Sequence, residues 1–205
     1  MKMPRQADLP LHDVPAATHN PGGKVRIRLQ ENVYGTAFFH GPGDCYRTWL
    51  TRVWGRRKPA AGAPPDNYIL WIGLNPSTAD ASFNDPTIER EIDFSMSWDA
   101  DALVKVNICD YRATKPQMLL QEGVVPRSKT NLPMIRDFAK RADRIVCAWG
   151  APHRNLQTFA LDVEEALRAD GHELWCLGLT KHGGPRHPLY VTGGTPLIRF
   201  KEIPL

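Results

Sequence analysis

Residues 68–85 read YILWIGLNPSTADASFND. Tyr68–Leu74 is short, bulky and rich in β-formers, so it reads as a buried strand. Gly73 and Pro76 break that strand and force a tight loop. Asn75 therefore sits where the strand ends. In a parallel α/β sheet ligands bind at the carboxyl edge of the strands. A polar amide held there between a glycine and a proline is the first candidate functional residue.

Downstream of this stretch the pattern is regular. Asp85-Pro86 opens a helix, with Asp as N-cap and Pro at the first helical position. Ile88, Ile92 and Met96 give the helix an apolar stripe as far as about Trp98. Ala102–Cys109 is a second strand, Pro116–Arg141 a helical region broken by proline, and Arg144–Trp149 a third strand. A helix over residues 154–169 and a strand over Glu173–Leu179 follow. Strands alternating with helices predict a three-layer α/β sandwich around a mainly parallel four-stranded sheet. Upstream, Lys24–Gln30 alternates Val25, Ile27 and Leu29 against Lys24, Arg26 and Arg28, a half-exposed strand. Tyr34–His40 is its expected hairpin partner, and Tyr46–Trp54 is a third strand or a short helix. Arg56–Asp66 reads as a loop and residues 1–23, with four prolines and two glycines, as a flexible tail. Residues 24–205 form a single domain.

Composition narrows the class. The 205 residues suffice for one domain with a real core, and 42% of them are hydrophobic. A net charge of +4 is compatible with a nucleic-acid partner without demanding one. Cys45, Cys109, Cys147 and Cys176 show no metal-binding spacing and read as free thiols, the last three in apolar runs. His153 and His182 have no second ligand at metal spacing, so neither metal nor cofactor is expected. No long apolar segment and no signal peptide occur. A monomeric, cytoplasmic protein without membrane association is expected.

Each strand is followed by a polar loop rich in glycine or proline: residues 75–85, 110–116, 150–155 and 180–188. In a parallel sheet all four lie at one edge. Asn75, Asp80, Asn84, Asp85, Asn107, Tyr111 and Arg112 should therefore meet His153, Lys181, His182, Arg186 and His187 around one crevice.

Three of these loops resemble the uracil-DNA glycosylase superfamily in chain order. GLNPS resembles its first motif, in the Asn form of the mismatch-specific thymine/uracil branch. IVCAWGAPHRN resembles its Trp-Gly segment, and KHGGPRHPLYV its closing His-Pro loop, with His187-Pro188 at the key dipeptide. The longer pattern LNPSTAD, NDPTI, YRAT, AWG and PRHPLY, over about residues 34–197, resembles DUF1643, a bacterial and phage domain family of unknown function. Two departures matter. The most active glycosylases carry Asp where this chain has Asn75, and Asn cannot act as a general base. The closing loop lacks the usual Ser after His-Pro, which removes the usual phosphate contact.

The resemblance implies a monofunctional DNA glycosylase that hydrolyses the N-glycosidic bond of a damaged or modified pyrimidine, a hypermodified phage base included. Asn75 would orient the water and His187 would stabilise the departing base. Asp80 or Asp85 would supply a carboxylate, although Asp85 equally reads as a helix cap. Asn84 could read the base edge, and Phe83 or Tyr111 could stack on the base or belong to the core. The hydroxyls of Ser77 and Thr78, with Arg112, Lys181 and Arg186, would hold phosphates of double-stranded DNA. A duplex base must be flipped out, and Leu189 or Tyr190 could wedge into the gap. Lys181 is the amine that would change the chemistry if it reached the site. A small closed pocket would fit uracil, and a wide one a bulky base. An N-glycosidase of free nucleotides or RNA, and a non-catalytic nucleic-acid-binding module, are the competing readings.

Overall fold

The computed structural model describes residues 19–23, 25–54 and 67–201. The Arg56–Asp66 loop and positions 1–18 of the expected tail lie outside the described residues. The central sheet has seven strands in the order β2-β3-β6-β4-β7-β8-β9. These are β2 (Val33–His40), β3 (Tyr46–Trp54), β4 (Tyr68–Gly73), β6 (Ala102–Asn107), β7 (Arg144–Cys147), β8 (Leu174–Cys176) and β9 (Ile198–Arg199). β6, β4, β7 and β8 run parallel, which is the four-stranded core the sequence predicts. β3 joins β6 antiparallel, and β9 adds a last antiparallel strand that sequence patterning does not announce.

The hairpin is differently composed from the expectation. β2 pairs with β3 rather than with the Lys24–Gln30 segment, and Tyr46–Trp54 is a strand rather than a helix. Two long strands joined by a short turn form a far longer ladder than the upstream segment could. That segment keeps only β1 (Ile27–Arg28), which pairs with β5 (Phe83–Asn84) in a separate small sheet. Residues 19–23 of the expected tail are docked: the backbone of Thr114 donates to the Pro21 carbonyl, and His19 Nε2 contacts the Arg112 carbonyl at 2.7 Å.

Three helices cover the two faces among the described residues. α1 (Pro86–Ser97) lies on one, and α2 (Asn131–Ala139) and α3 (Gln157–Ala169) pack on the other. Strand alternation explains the two cores. Tyr68, Leu70 and Ile72 of β4 point to α2 and α3, while Ile69 and Trp71 point to α1. Both faces are covered, so β4 is apolar throughout. Asp85 caps α1 as expected, its carboxylate accepting the Ile88 N–H at 3.0 Å. The buried stripe differs: Met96 is 40% exposed, and Glu91 and Ser95 are buried beside Ile88 and Ile92. Each buried Ile of this stripe contributes about 2 kcal/mol.

The loop after β4 is held from beneath by two buried arginines of β3. Arg47 donates to the Ala79 carbonyl at 2.9 Å. Arg52 donates to the carbonyls of Thr51, Asp80 and Phe83 and to Asn84 Oδ1. Burial, with the nearby Arg47 charge acting in the same direction, brings the Arg52 guanidinium down to about 9. All four cysteines are free and buried.

Arg52→Leu should lower stability by about 3 kcal/mol or more, because it leaves several buried acceptors without donors. Arg52→Lys should recover little, since one ammonium cannot span the same acceptors. Urea unfolding checks both. A loss below about 1 kcal/mol would mean that other contacts hold the loop.

Candidate functional site

A cavity of about 500 Å³ opens at the carboxyl edge of β4, β6 and β7, on the α1 side. β4 and β6 are in parallel register, so Gly73 lies beside Asn107 at the strand ends. Gly73 keeps this floor open. A Cβ there would lie 2.6 Å from Lys105 Nζ and 2.7 Å from Asn107 Oδ1. The glycine of the first motif thus makes room for two polar side chains of the next strand. Gly23 and Val25 close one side, and Trp149, Gly150 and Ala151 another.

Asn75 and His187 both line this cavity, as the sequence predicts. Asn75 Nδ2 donates to the carbonyls of Ala113 (2.5 Å) and Pro76 (3.1 Å). Two carbonyl acceptors fix the amide orientation and leave Oδ1 as an acceptor for another group. His187 Nδ1 accepts the Leu189 backbone N–H at 3.3 Å. The neutral ring then carries its proton on Nε2. Burial pulls the His187 imidazole down to about 4, the Lys105 charge pulls the same way, and Asp85 opposes. At neutral pH His187 is an uncharged hydrogen-bond donor.

Ser77, Thr78, Asp85, Leu189 and Tyr190 also line the cavity. Thr78 already donates to the Val25 carbonyl. Asp85 spends one carboxylate oxygen on the helix cap. Leu189 and Tyr190 form an apolar rim, with Tyr190 82% exposed.

The other sequence-predicted residues are placed elsewhere. Asp80 pairs with Arg26 and accepts the N–H groups of Ser82 and Phe83, so it shapes the loop. Asn84 accepts from Arg52 and donates to Glu89, which uses both ends of its amide. Phe83 lies under the Arg26 guanidinium. Tyr111 packs edge-on against His19 and Tyr46. Arg112 donates to the Asp44 carbonyl and covers the Phe39 ring. Lys181 and Arg186 are exposed on the loop before His187 and do not line the cavity. His153 accepts the Asn155 N–H. Among the described residues no three His, Cys, Asp or Glu side chains gather to hold a metal, and no helix is long and apolar enough to cross a membrane.

Sequence reasoning assigned no role to Lys105, Arg47 and Trp149, and placed Asn107 at the crevice without giving it one; all four line the cavity. Lys105 is 3% exposed and pairs with Glu91 of α1 at 2.5 Å. Burial pushes the Glu91 carboxyl up, against the pull of the Lys105 ammonium. Asn107 is 1% exposed, and neither Oδ1 nor Nδ2 has a partner. A buried amide with both ends unsatisfied is costly in a protein that binds nothing. Burial lowers the Arg47 guanidinium to about 10, still charged at neutral pH, with Asp85 the strongest opposing charge. Trp149 and Tyr190 are aromatic side chains of the cavity wall, whereas Phe83 and Tyr111 do not line it. The sequence signal for Lys105 was a single charge inside ALVKVN, a strand otherwise apolar up to its final Asn.

A family model described as "Protein of unknown function (DUF1643)" matches residues 47–189. That span runs from Arg47 beneath the cavity to Leu189 on its rim. No curated protein and no solved structure matches the chain.

The His187 shift has a measurable sign. The unfolded chain takes up a proton near pH 6.5, whereas the folded ring does so only near 4. Stability should therefore fall as pH drops from about 6.5 to about 4 and owe no further loss to this group below that. In NMR, the His187 ring resonances should titrate with a midpoint about 4. A midpoint near 6.5 would remove the neutral-donor role.

Proposed function

The chain belongs to the DUF1643 family, and we propose that it is a monofunctional DNA glycosylase of the uracil-DNA glycosylase type. Its substrate is a damaged or modified pyrimidine base in double-stranded DNA. The observation that carries this reading is the pairing of Asn75 and His187 across one cavity, each held in a single hydrogen-bonding state by the backbone around it. Parallel strands ending at this cavity, with helices on both faces, agree with the superfamily's architecture.

In the reaction Asn75 Oδ1 accepts a hydrogen of the attacking water and aims it at the anomeric carbon. The bond from that carbon to the base breaks, its electron pair leaves with the base, the water oxygen bonds to the carbon, and the proton that this water sheds passes through solvent to the released base. His187 Nε2–H donates to a base oxygen as negative charge builds there. Asp85 places a carboxylate in the same wall, near the positive charge that develops on the sugar. The buried Asn107 amide offers one donor and one acceptor edge to the base, the role expected of Asn84. Trp149 supplies an aromatic surface beside it. Leu189 and Tyr190 are placed to fill the gap left by a flipped base.

A cavity of about 500 Å³ leaves room for a substituent on the base. That favours a modified pyrimidine, hypermodified phage bases included, over uracil alone. The rim is apolar and the nearby cations Lys181 and Arg186 are exposed, which suits a partner that brings phosphates to the surface while its base enters.

The test is base release from duplex DNAs carrying uracil, a G·T mismatch, or oxidised, methylated and sugar-modified pyrimidines, read as alkali-labile abasic sites. At least one substrate should be cut. Asn75→Ala and His187→Ala should each slow release by about 10²- to 10³-fold. Binding to duplex should weaken steeply with salt. A blank duplex panel from folded protein, with turnover of a free nucleotide or of RNA, would overturn the DNA assignment.

A further inference from the structure

We propose that Lys105 is the cationic group with which this cavity stabilises an anion, and that the anion is the oxygen-bearing heterocycle released as the leaving base. The identity of that heterocycle rests on the glycosylase reading above. The existence of the anion site rests on the geometry of Lys105 alone.

Lys105 stands in the middle of β6, on the face that carries α1. Lys105 lines the cavity, whereas its partner Glu91 does not, and a Cβ on the cavity residue Gly73 would lie 2.6 Å from Lys105 Nζ. The ion pair is therefore a dipole with its positive end toward the open space. An ammonium has three N–H donors. Among the described residues, Lys105 Nζ has one acceptor, Glu91 Oε1. Beside it, Asn107 has both polar atoms buried and unpartnered. Gly73 leaves the space over these two side chains free of any side chain of its own. A built, polar and incompletely satisfied floor of this kind calls for a ligand with oxygen acceptors.

Asp85, the carboxylate in the same wall, does not cancel Lys105. Arg47 has Asp85 as its strongest opposing charge. At His187, the Lys105 charge outweighs that of Asp85. His187 itself is neutral and brings a hydrogen bond but no charge. When the glycosidic bond breaks, the electron pair stays on the base and its negative charge spreads to the ring oxygens. Lys105 meets that charge without transferring a proton. At a buried position a fixed ammonium interacts with such an oxygen far more strongly than it would in water.

The test compares binding of two free bases to the full chain at mildly alkaline pH by calorimetry or NMR titration. The probes are 5-nitrouracil, which is ionised there, and uracil, which is neutral. The wild-type protein should bind 5-nitrouracil at least about tenfold more tightly than uracil. Lys105→Met combined with Glu91→Leu, which removes both charges without orphaning either, should abolish that preference. Glu91→Gln, which keeps the ammonium and can still accept its hydrogen bond, should retain or increase it. It also carries the test if the double variant does not fold. Equal binding of the two probes, binding of neither, a preference that survives in the folded double variant, or one lost in Glu91→Gln would each overturn the proposal. Base release is scored separately. Turnover without an anion preference leaves the glycosylase reading standing and removes this one. A Lys105-dependent preference without turnover does the reverse.

Discussion

A lysine in the middle of a central strand must find a counter-charge within the protein, and in this fold only the helix on the same face can supply it. Lys105 is walled by β3 and β4, whose register partners are Leu50 and Trp71. Glu91 meets it from α1. Removing either partner alone would leave an isolated charge out of water, at a cost of about 3–5 kcal/mol. The pair therefore ties the position of α1 to that of β6. The Asp85 cap then fixes where α1 begins, and with it one wall of the cavity. Ser95 strengthens the same seam, accepting from the Trp71 indole and donating back to the Glu91 carbonyl.

The loop between β4 and α1 carries Asn75 and is long and polar, yet it is well anchored. The anchors come from β3, an antiparallel strand added to the edge of the parallel core. Arg47 and Arg52 rise from that strand and gather backbone carbonyls of residues 79–83. Asp80 and Asn84 complete the loop from within. These two residues look like site residues in the sequence because loop-building and ligand-binding call on the same polar side chains. Buried partners separate the two uses: Asn84 has no free edge left, whereas Asn107 has both.

The cavity combines two kinds of preorganisation. Backbone groups set the hydrogen-bonding states of Asn75 and His187, so neither has to reorient when a ligand arrives. Burial sets the charge state of His187, and an ion pair with Glu91 holds Lys105 in place behind the wall. The rim is the opposite in character. Leu189 and Tyr190 are exposed and apolar, two and three residues after the histidine, and the Tyr190 ring packs against the His187 ring. A rigid polar floor beneath an exposed apolar rim suits a ligand that enters as a flat ring and remains tethered outside.

The sequence by itself determined the elements that depend on local chemistry. The β4 strand, the Asp85-Pro86 helix start, the parallel core and the gathering of Asn75 and His187 at one edge follow from short-range periodicity, capping and chain order. Tertiary structure decided what depends on partners far away in the chain. It chose β3 rather than the upstream segment as the partner of β2, because a long ladder outweighs a short one. It turned Met96 outward and Glu91 inward, because Lys105 needed a counter-charge. It withdrew Phe83, Asn84 and Tyr111 from the cavity and brought in Trp149 and Lys105, because orientation on a sheet face depends on register across strands. A lone Lys within an apolar strand is visible in the sequence, but whether it faces a carboxylate, a cavity or both is settled only when the strands pair.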